Sequence, residues 1–146
     1  MSQDLRSYLK KVSSKFPKEI IEVNEAIDPP NHEAAAYIKL IEDEGKFPVV
    51  LFKNVKNIKG EKSQFPLIHN IFATRPFCAM TIGLDPSNFR TGLTTSFGEM
   101  QEKPRDYEII KTKDAPVMKN VWKGKDADIT RLPGARYHEK DAGSLV

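Results

Sequence analysis

The sequence predicts a mixed α/β (α+β) fold in which the secondary-structure elements follow the order αβαββα. Two observations carry this prediction. Apolar residues recur at three- and four-residue spacing in two segments, which is the period of an α-helix. Short runs rich in β-branched residues lie between and after these segments, as is typical of strands. With 146 residues, the chain is long enough to bury roughly 70% of the surface that its unfolded form exposes.

The first helix is predicted near the N-terminus, with Ser2 as its cap and Asp4 in its opening turn. It is expected to end near Phe16. The apolar stripe of this helix consists of Leu5, Tyr8, Leu9 and Val12. The run "EIIEV", residues 19–23, follows as a short strand.

The second helix is predicted over residues 32–44, after the break formed by "DPPN". Asn31 is the expected N-cap, because an asparagine side chain can accept a hydrogen bond from a free backbone N–H of the first turn. Gly45 stands where a left-handed residue ends a helix at no steric cost.

The middle of the chain predicts two strands and two further helices. "FPVVLFKNV" indicates a buried strand and "FPLIHNIF" a second strand. Thr74 introduces a helix through "RP", since proline suits the first turn. Ser87 is the expected cap of a last helix over residues 88–102, which Pro104 closes.

The pattern changes beyond this helix. "VMKNVW" and "ADITRL" have the composition of short strands, and a domain boundary is predicted near Pro116. The N-terminal α/β domain would then comprise residues 1–115 and a second unit residues 116–146.

Charge and cysteine content exclude several classes of protein. The 23 basic and 20 acidic residues give a net charge of +3, which is too small to indicate a polyanion partner. Cys78 is the only cysteine, so an intrachain disulfide is excluded and a cytoplasmic location fits. No apolar run approaches the roughly 20 residues of a membrane span.

The histidines and the cysteine have structural interpretations that precede functional ones. His32 is expected to be exposed in the first turn of a helix. His69, at the end of a strand, is interpreted as a hydrogen-bonded edge residue, and Cys78, among apolar neighbours, as a packing residue. The common phosphate-loop, zinc-protease and serine-hydrolase motifs are absent from the sequence.

The strongest local concentration of functional residue types is "HEKDAG". His138 and Asp141 can hydrogen-bond each other, and Gly143 allows a ligand to approach the backbone. A turn held by the Asp141 side chain explains the same spacing. The residues by themselves leave both interpretations open.

Several segments together resemble the N-terminal part of UbiD-type decarboxylases, which use prenylated flavin mononucleotide (prenylated FMN). The resemblance covers nearly the whole chain and departs mildly at Ala142, where many relatives have glycine. It rests on "DLRSYL", "EVNEAIDPPNHEAA", "FPVVLFKNVK", "FPLIHNIFATR", "FCAMTIGL" and "DADITRLPGARYHEKDAG".

The resemblance implies that residues 116–146 begin the split β-barrel that holds the flavin, and that Val146 is a cut rather than a natural end. The catalytic and metal-binding residues of the family are then expected after residue 146, so no catalytic or metal residue is assigned here. His138, Asp141 and Gly143 are the candidates for lining the cofactor entrance.

The resemblance further implies a reversible, non-oxidative decarboxylase of aromatic or α,β-unsaturated acids. The full-length family uses prenylated FMN, a divalent metal and a monovalent cation, relies on a flavin prenyltransferase for its cofactor, and forms homo-oligomers. This chain alone is expected to bind no cofactor and to be inactive.

Two alternatives are left open. The chain can be a stand-alone accessory or interaction subunit without the catalytic part. It can also be a small basic module that binds nucleic acid through Lys53, Lys56, Lys59 and Lys62, although a solvated loop is the simpler interpretation of these lysines.

Overall fold

The computed structural model of the chain describes residues 4–103, 107 and 109–144. Its order of elements confirms the αβαββα prediction and the further helix that was predicted after it. These elements are α1 (Leu5–Lys15), β1 (Ile20–Ile27), α2 (Glu33–Asp43), β2 (Val49–Val55), β3 (Leu67–His69), α3 (Arg75–Thr81) and α4 (Thr91–Glu102). Six short 3-10 turns complete the described regular structure.

The three strands form one mixed sheet in the order β1-β2-β3. β1 and β2 run parallel, from the pair Ile20–Val49 to the pair Ile27–Val55, and β3 pairs antiparallel with β2. Parallel neighbours need a crossover connection, and α2 supplies it. β2 is therefore the central strand, with a partner on each side.

Two apolar cores lie on opposite faces of this sheet. On one face, Val50 and Phe52 of β2 pack with Ala34 and Ile38 of α2. On the other face, Val49 packs in a cluster with residues of α1 and α3, namely Tyr8, Val12, Phe77 and Met80. β2 is thus covered on both faces, which explains why its sequence is an apolar run rather than an alternation.

The N-terminus of α1 differs from the prediction by its cap. Ser2 lies outside the described residues, and Asp4 is the N-cap. Its carboxylate accepts the backbone N–H of Ser7 at 2.8 Å, and the Ser7 hydroxyl oxygen accepts the backbone N–H of Asp4 at 3.0 Å. The helix ends at Phe16 as predicted.

The predicted N-cap of α2 is wrong. Asn31 belongs to the 3-10 turn Pro29–Asn31, and His32 is the residue before the helix, with a left-handed φ of 66°. Pro29 and Pro30 open a 3-10 turn before the helix, so the residue that precedes the helix is His32 rather than Asn31. The Glu33 side chain then accepts the backbone N–H of Asp28 at 2.6 Å. Gly45 is left-handed, with φ 72°, as predicted.

Of the two caps predicted for the last two helices, one is confirmed and the other is wrong. Thr74 caps α3 by accepting the backbone N–H of Phe77, which confirms the prediction. Ser87 does not cap α4, because Asp85 accepts both the backbone N–H and the hydroxyl of Ser87 within a 3-10 turn. α4 consequently starts at Thr91, and Pro104 lies outside the described residues.

The two strands predicted after Pro116 are not formed. "VMKNVW" overlaps the 3-10 turn Pro116–Lys119, and "ADITRL" overlaps the turn Ile129–Arg131. A strand is stable only when a neighbour satisfies its backbone groups, and no named strand follows β3 in the described part of the chain. The split-barrel start thus stays unconfirmed, and the domain boundary stays a prediction.

None of the helices in residues 4–103, 107 and 109–144 has both the length and the apolar character needed to cross a bilayer.

Replacing Phe52 by alanine is expected to lower the free energy of unfolding by about 3–5 kcal/mol, because a fully buried ring leaves a cavity. Phe52 is 0% exposed, and Phe97 of α4 is 52% exposed. Phe97→Ala is the matched control, with an expected change within about 0.5 kcal/mol. Urea denaturation followed by circular dichroism measures both, and equal losses would contradict the assignment of the core to β2.

Candidate functional site

The segment of residues 128–144 returns to the α/β domain and packs beside its loops. The backbone N–H of Ile58 donates to the carbonyl of Leu132 at 3.2 Å, and the backbone N–H of Arg136 donates to the carbonyl of Pro29 at 3.1 Å. The ammonium of Lys59 pairs with the Asp128 carboxylate. His138, the first residue of "HEKDAG", is thereby brought beside α2 and the end of β3.

Gly134 makes this close approach possible. A Cβ at this position would stand 2.9 Å from Ile58 Cδ1 and 2.9 Å from Ser144 Cβ. Both distances are shorter than carbon atoms tolerate. An alanine at residue 134 would therefore force the Ile58 side chain and Ser144 to shift, a constraint that no motif in the sequence indicates.

His69 and Tyr137 link the returning segment to the end of β3. His69 Nε2 lies 2.8 Å from the Tyr137 hydroxyl, and His69 Nδ1 lies 3.0 Å from Asn70 Oδ1. With the Asn70 oxygen as acceptor, Nδ1 carries the proton and Nε2 accepts from the tyrosine. Burial raises the pKa of Tyr137 above its usual value of 10.0. His69 is thus a hydrogen-bonded edge residue, as predicted.

All three histidines of the chain line one cleft of about 550 Å³. His32 and His69 come from the α/β domain, and His138 comes from the returning segment. The cleft is completed by Tyr137 and by one side of α2, where the lining residues are Ala35, Ala36, Ile38, Lys39 and Glu42. His32, predicted to be exposed, is partly buried here. No local pattern predicts this convergence, because the histidines are far apart along the chain.

The imidazoles in the cleft do not make a metal centre. Within residues 4–103, 107 and 109–144, no group of three or more histidine, cysteine, aspartate or glutamate side chains is arranged to hold a metal ion. Cys78 is half-buried, with its Sγ 3.5 Å from the Phe72 carbonyl, and its packing role stays a prediction.

The turn at residues 138–141 is held by the Asp141 carboxylate. Asp141 Oδ2 accepts the backbone N–H groups of Tyr137 at 2.9 Å and His138 at 3.0 Å. These two bonds, that of His138 first, hold the pKa of Asp141 below its usual value. His138 Nδ1 is 3.6 Å from Asp141 Oδ1, which is too long for a hydrogen bond. Gly143 has open space where a Cβ would stand.

The lysines that could bind nucleic acid have charges that the chain itself largely neutralises. Lys53 pairs with Glu22, Lys56 with Asp28 at 2.7 Å, and Lys59 with Asp128. The Lys56 ammonium is the main cause that lowers the pKa of the buried Asp28 carboxyl. Three of the four lysines therefore face carboxylates of their own chain, which disfavours a phosphate-binding stripe.

Comparisons with known proteins agree on this architecture. A family model described as the 3-octaprenyl-4-hydroxybenzoate carboxy-lyase N-terminal domain matches residues 15–94. The backbone is similar to vanillic acid decarboxylase from Sedimentibacter hydroxybenzoicus. In the closed form the TM-score is 0.79, at 24% identity over 99% of the chain. In the open form it is 0.69, at 25% identity over 98%. The chain spans only 29% and 30% of those two decarboxylase chains.

Replacing Gly134 by alanine is expected to lower the free energy of unfolding by about 1–3 kcal/mol, because the added methyl group overpacks the contact with Ile58. Gly143→Ala is the matched control in the same segment, and its expected change is within about 0.5 kcal/mol. Urea denaturation and the methyl NMR signals of Ile58 report on both variants. An unshifted Ile58 signal in Gly134→Ala would show that the segment does not pack as described.

The contact between Lys59 and Asp128 is expected to weaken in acid. Hydrogen bonds from Lys59 first, and then from Thr130, lower the pKa of Asp128 from 3.8 to about 2. The folded-state pKa lies below the unfolded value, so the stabilisation is complete above about pH 4 and is lost as the pH falls towards 2. NMR titration of the Asp128 carboxyl carbon measures this. A midpoint at or above 3.8, the ordinary value, would contradict the ion pair.

Proposed function

Since this chain belongs to the UbiD family, whose N-terminal domain model it matches over residues 15–94, we propose that the full-length protein is a reversible, non-oxidative decarboxylase. Its substrates are aromatic or α,β-unsaturated carboxylic acids. The family match is the observation that carries this proposal. The backbone likeness to vanillic acid decarboxylase supports it, because that protein acts on an aromatic acid.

The proposal includes a flavin that this chain does not hold by itself. Prenylated FMN supplies the electron sink for loss of CO2 when bound, and such chemistry belongs to the cofactor. The turn at residues 138–141 does not fit the flavin phosphate, because its fixed charge is the Asp141 carboxylate, which repels phosphate. Asp141 Oδ2 is also occupied by two backbone N–H groups. Gly143 has open space around it, so no close contact of this chain requires a glycine there.

We therefore propose a supporting role for these residues. His138, with an imidazole that is largely exposed, Asp141 and Gly143 form a rim beside the cofactor entrance in the full-length protein. Asp141 shapes the turn, the His138 side chain faces outward, and neither residue transfers a proton in the reaction. The catalytic residues and the divalent and monovalent cations belong to the rest of the protein.

The remaining parts of the proposal concern the cell. A flavin prenyltransferase supplies the cofactor, the full-length protein forms homo-oligomers, and the location is cytoplasmic. The single Cys78, which excludes an intrachain disulfide, supports a reducing compartment.

The 146-residue chain is expected to be inactive on its own, because the turn at residues 138–141, its candidate for the cofactor entrance, does not fit the flavin phosphate. The test incubates the purified chain with prenylated FMN and vanillate, cinnamate or 4-hydroxybenzoate, and measures CO2 release. The positive arm uses the whole reading frame that contains this chain, expressed together with a flavin prenyltransferase. CO2 release by the chain alone contradicts the inactivity, and the absence of any release in the positive arm contradicts the proposed reaction.

A further inference from the structure

α1 is a basic helix. The helix carries Arg6, Lys10, Lys11 and Lys15 and no acidic residue within Leu5–Lys15. The whole chain has 23 basic and 20 acidic residues. α1 therefore contributes four of the 23 basic residues and none of the 20 acidic ones.

These charges are not neutralised by the chain itself. No salt bridge in the described part of the protein involves Arg6, Lys10 or Lys11. Lys15 has only a 3.8 Å contact with Asp85, in which both side chains are 59% exposed. Such an exposed pair contributes little. The lysines at residues 53, 56 and 59, by contrast, each have a carboxylate partner.

The charged helix forms one wall of the lysine groove, which we define as the space between α1 and the residues that follow α3. Its volume is about 660 Å³. Lys10, Lys11 and Lys15 line it from α1. The opposite wall is mainly apolar and consists of Met80, Gly83, Leu84 and Pro86, together with Asp85. Lys10 and Lys11, which have no salt bridge in the described part of the chain, thus lie beside an apolar surface in a concave site. Lys15 lies with them and has only the long contact with Asp85.

We propose that the lysine groove binds an acidic segment of a partner protein. Lys11 and Lys15 are one helical turn apart, which is about 6 Å along the axis. Carboxylates spaced one turn apart on a partner helix match this separation. An apolar side chain between these carboxylates would contact Leu84 and Pro86. The opposite charges would then attract the segment, and the buried apolar side chain would hold it in place.

A protein segment fits this site better than a membrane or a nucleic acid. On the apolar side of α1, Tyr8 and Val12 pack in the core and Leu5 is exposed, so the helix offers a bilayer little apolar surface. The residues that line the groove include no aromatic side chain, whereas single-stranded nucleic acids are held by stacking on aromatic rings. A concave site of this size instead suits a short peptide.

The test uses a fluorescein-labelled peptide of about 14 residues, roughly 21 Å long as a helix, built from glutamate, alanine and leucine with glutamates four residues apart. A peptide with lysine in place of every glutamate is the control. Fluorescence anisotropy with the 146-residue chain measures the dissociation constant. We expect saturable binding of the acidic peptide below about 1 mM, equivalent to about −4 kcal/mol, and none of the basic one.

Two charge-reversal variants separate the groove from net charge. Lys11→Glu with Lys15→Glu is expected to weaken binding at least about tenfold. Lys113→Glu with Lys119→Glu changes the net charge equally on exposed turns outside the groove, and is expected to leave the dissociation constant within about twofold. Leu84→Ser tests the apolar wall and is expected to weaken binding several-fold. If circular dichroism shows unfolding of the first variant, Lys11→Gln with Lys15→Gln replaces it.

Four results would overturn the proposal. The first is no saturable binding of the acidic peptide, and the second is an equal loss of affinity in both charge-reversal variants. The third is tighter binding of the chain to phosphatidylserine vesicles or to an oligothymidylate than to the peptide. The fourth is self-association, seen by sedimentation velocity, that Lys11→Glu with Lys15→Glu abolishes. The last would make a second copy of the chain the occupant. None of these readouts involves decarboxylation, so they are independent of the proposed reaction.

Discussion

The burial of β2 on both faces is the constraint on which the rest of the structure depends. Phe52 faces the core beneath α2, and Val49 faces the core beneath α1 and α3. The covered part of such a strand must be apolar, as Val49–Phe52 is, and the strand must have partners along both edges. β1 and β3 satisfy the edges, so the positions of α1, α2 and α3 follow from this one strand.

The returning segment adds a second layer of constraint at the end of the sheet. Its backbone bonds to Ile58 and Pro29 and its contact at Gly134 join a stretch with little regular structure to the α/β domain. The link between His69 and Tyr137 lies in the same region. Because backbone groups need partners wherever water is excluded, short 3-10 turns and loop contacts replace the strands that local composition suggested.

Two clusters of basic residues look alike in the sequence but differ in how many of their charges the fold pairs with carboxylates. The cluster at residues 53–62 is more conspicuous, yet its lysines meet Glu22, Asp28 and Asp128 in the fold. The basic residues of α1 are spread along one helix and remain almost unpaired. A charge attracts a partner strongly only when its own chain does not neutralise it. Salt bridges between distant segments therefore decide which cluster stays positively charged towards solvent.

The sequence by itself determined the elements whose signals are local. The buried run of β2, the cap at Thr74 and the left-handed Gly45 depend on neighbours within a few residues, and all three were predicted. Only the tertiary structure decided that three distant histidines line one cleft and that "VMKNVW" forms no strand. These outcomes depend on pairing between segments far apart in the chain, which local periodicity does not encode.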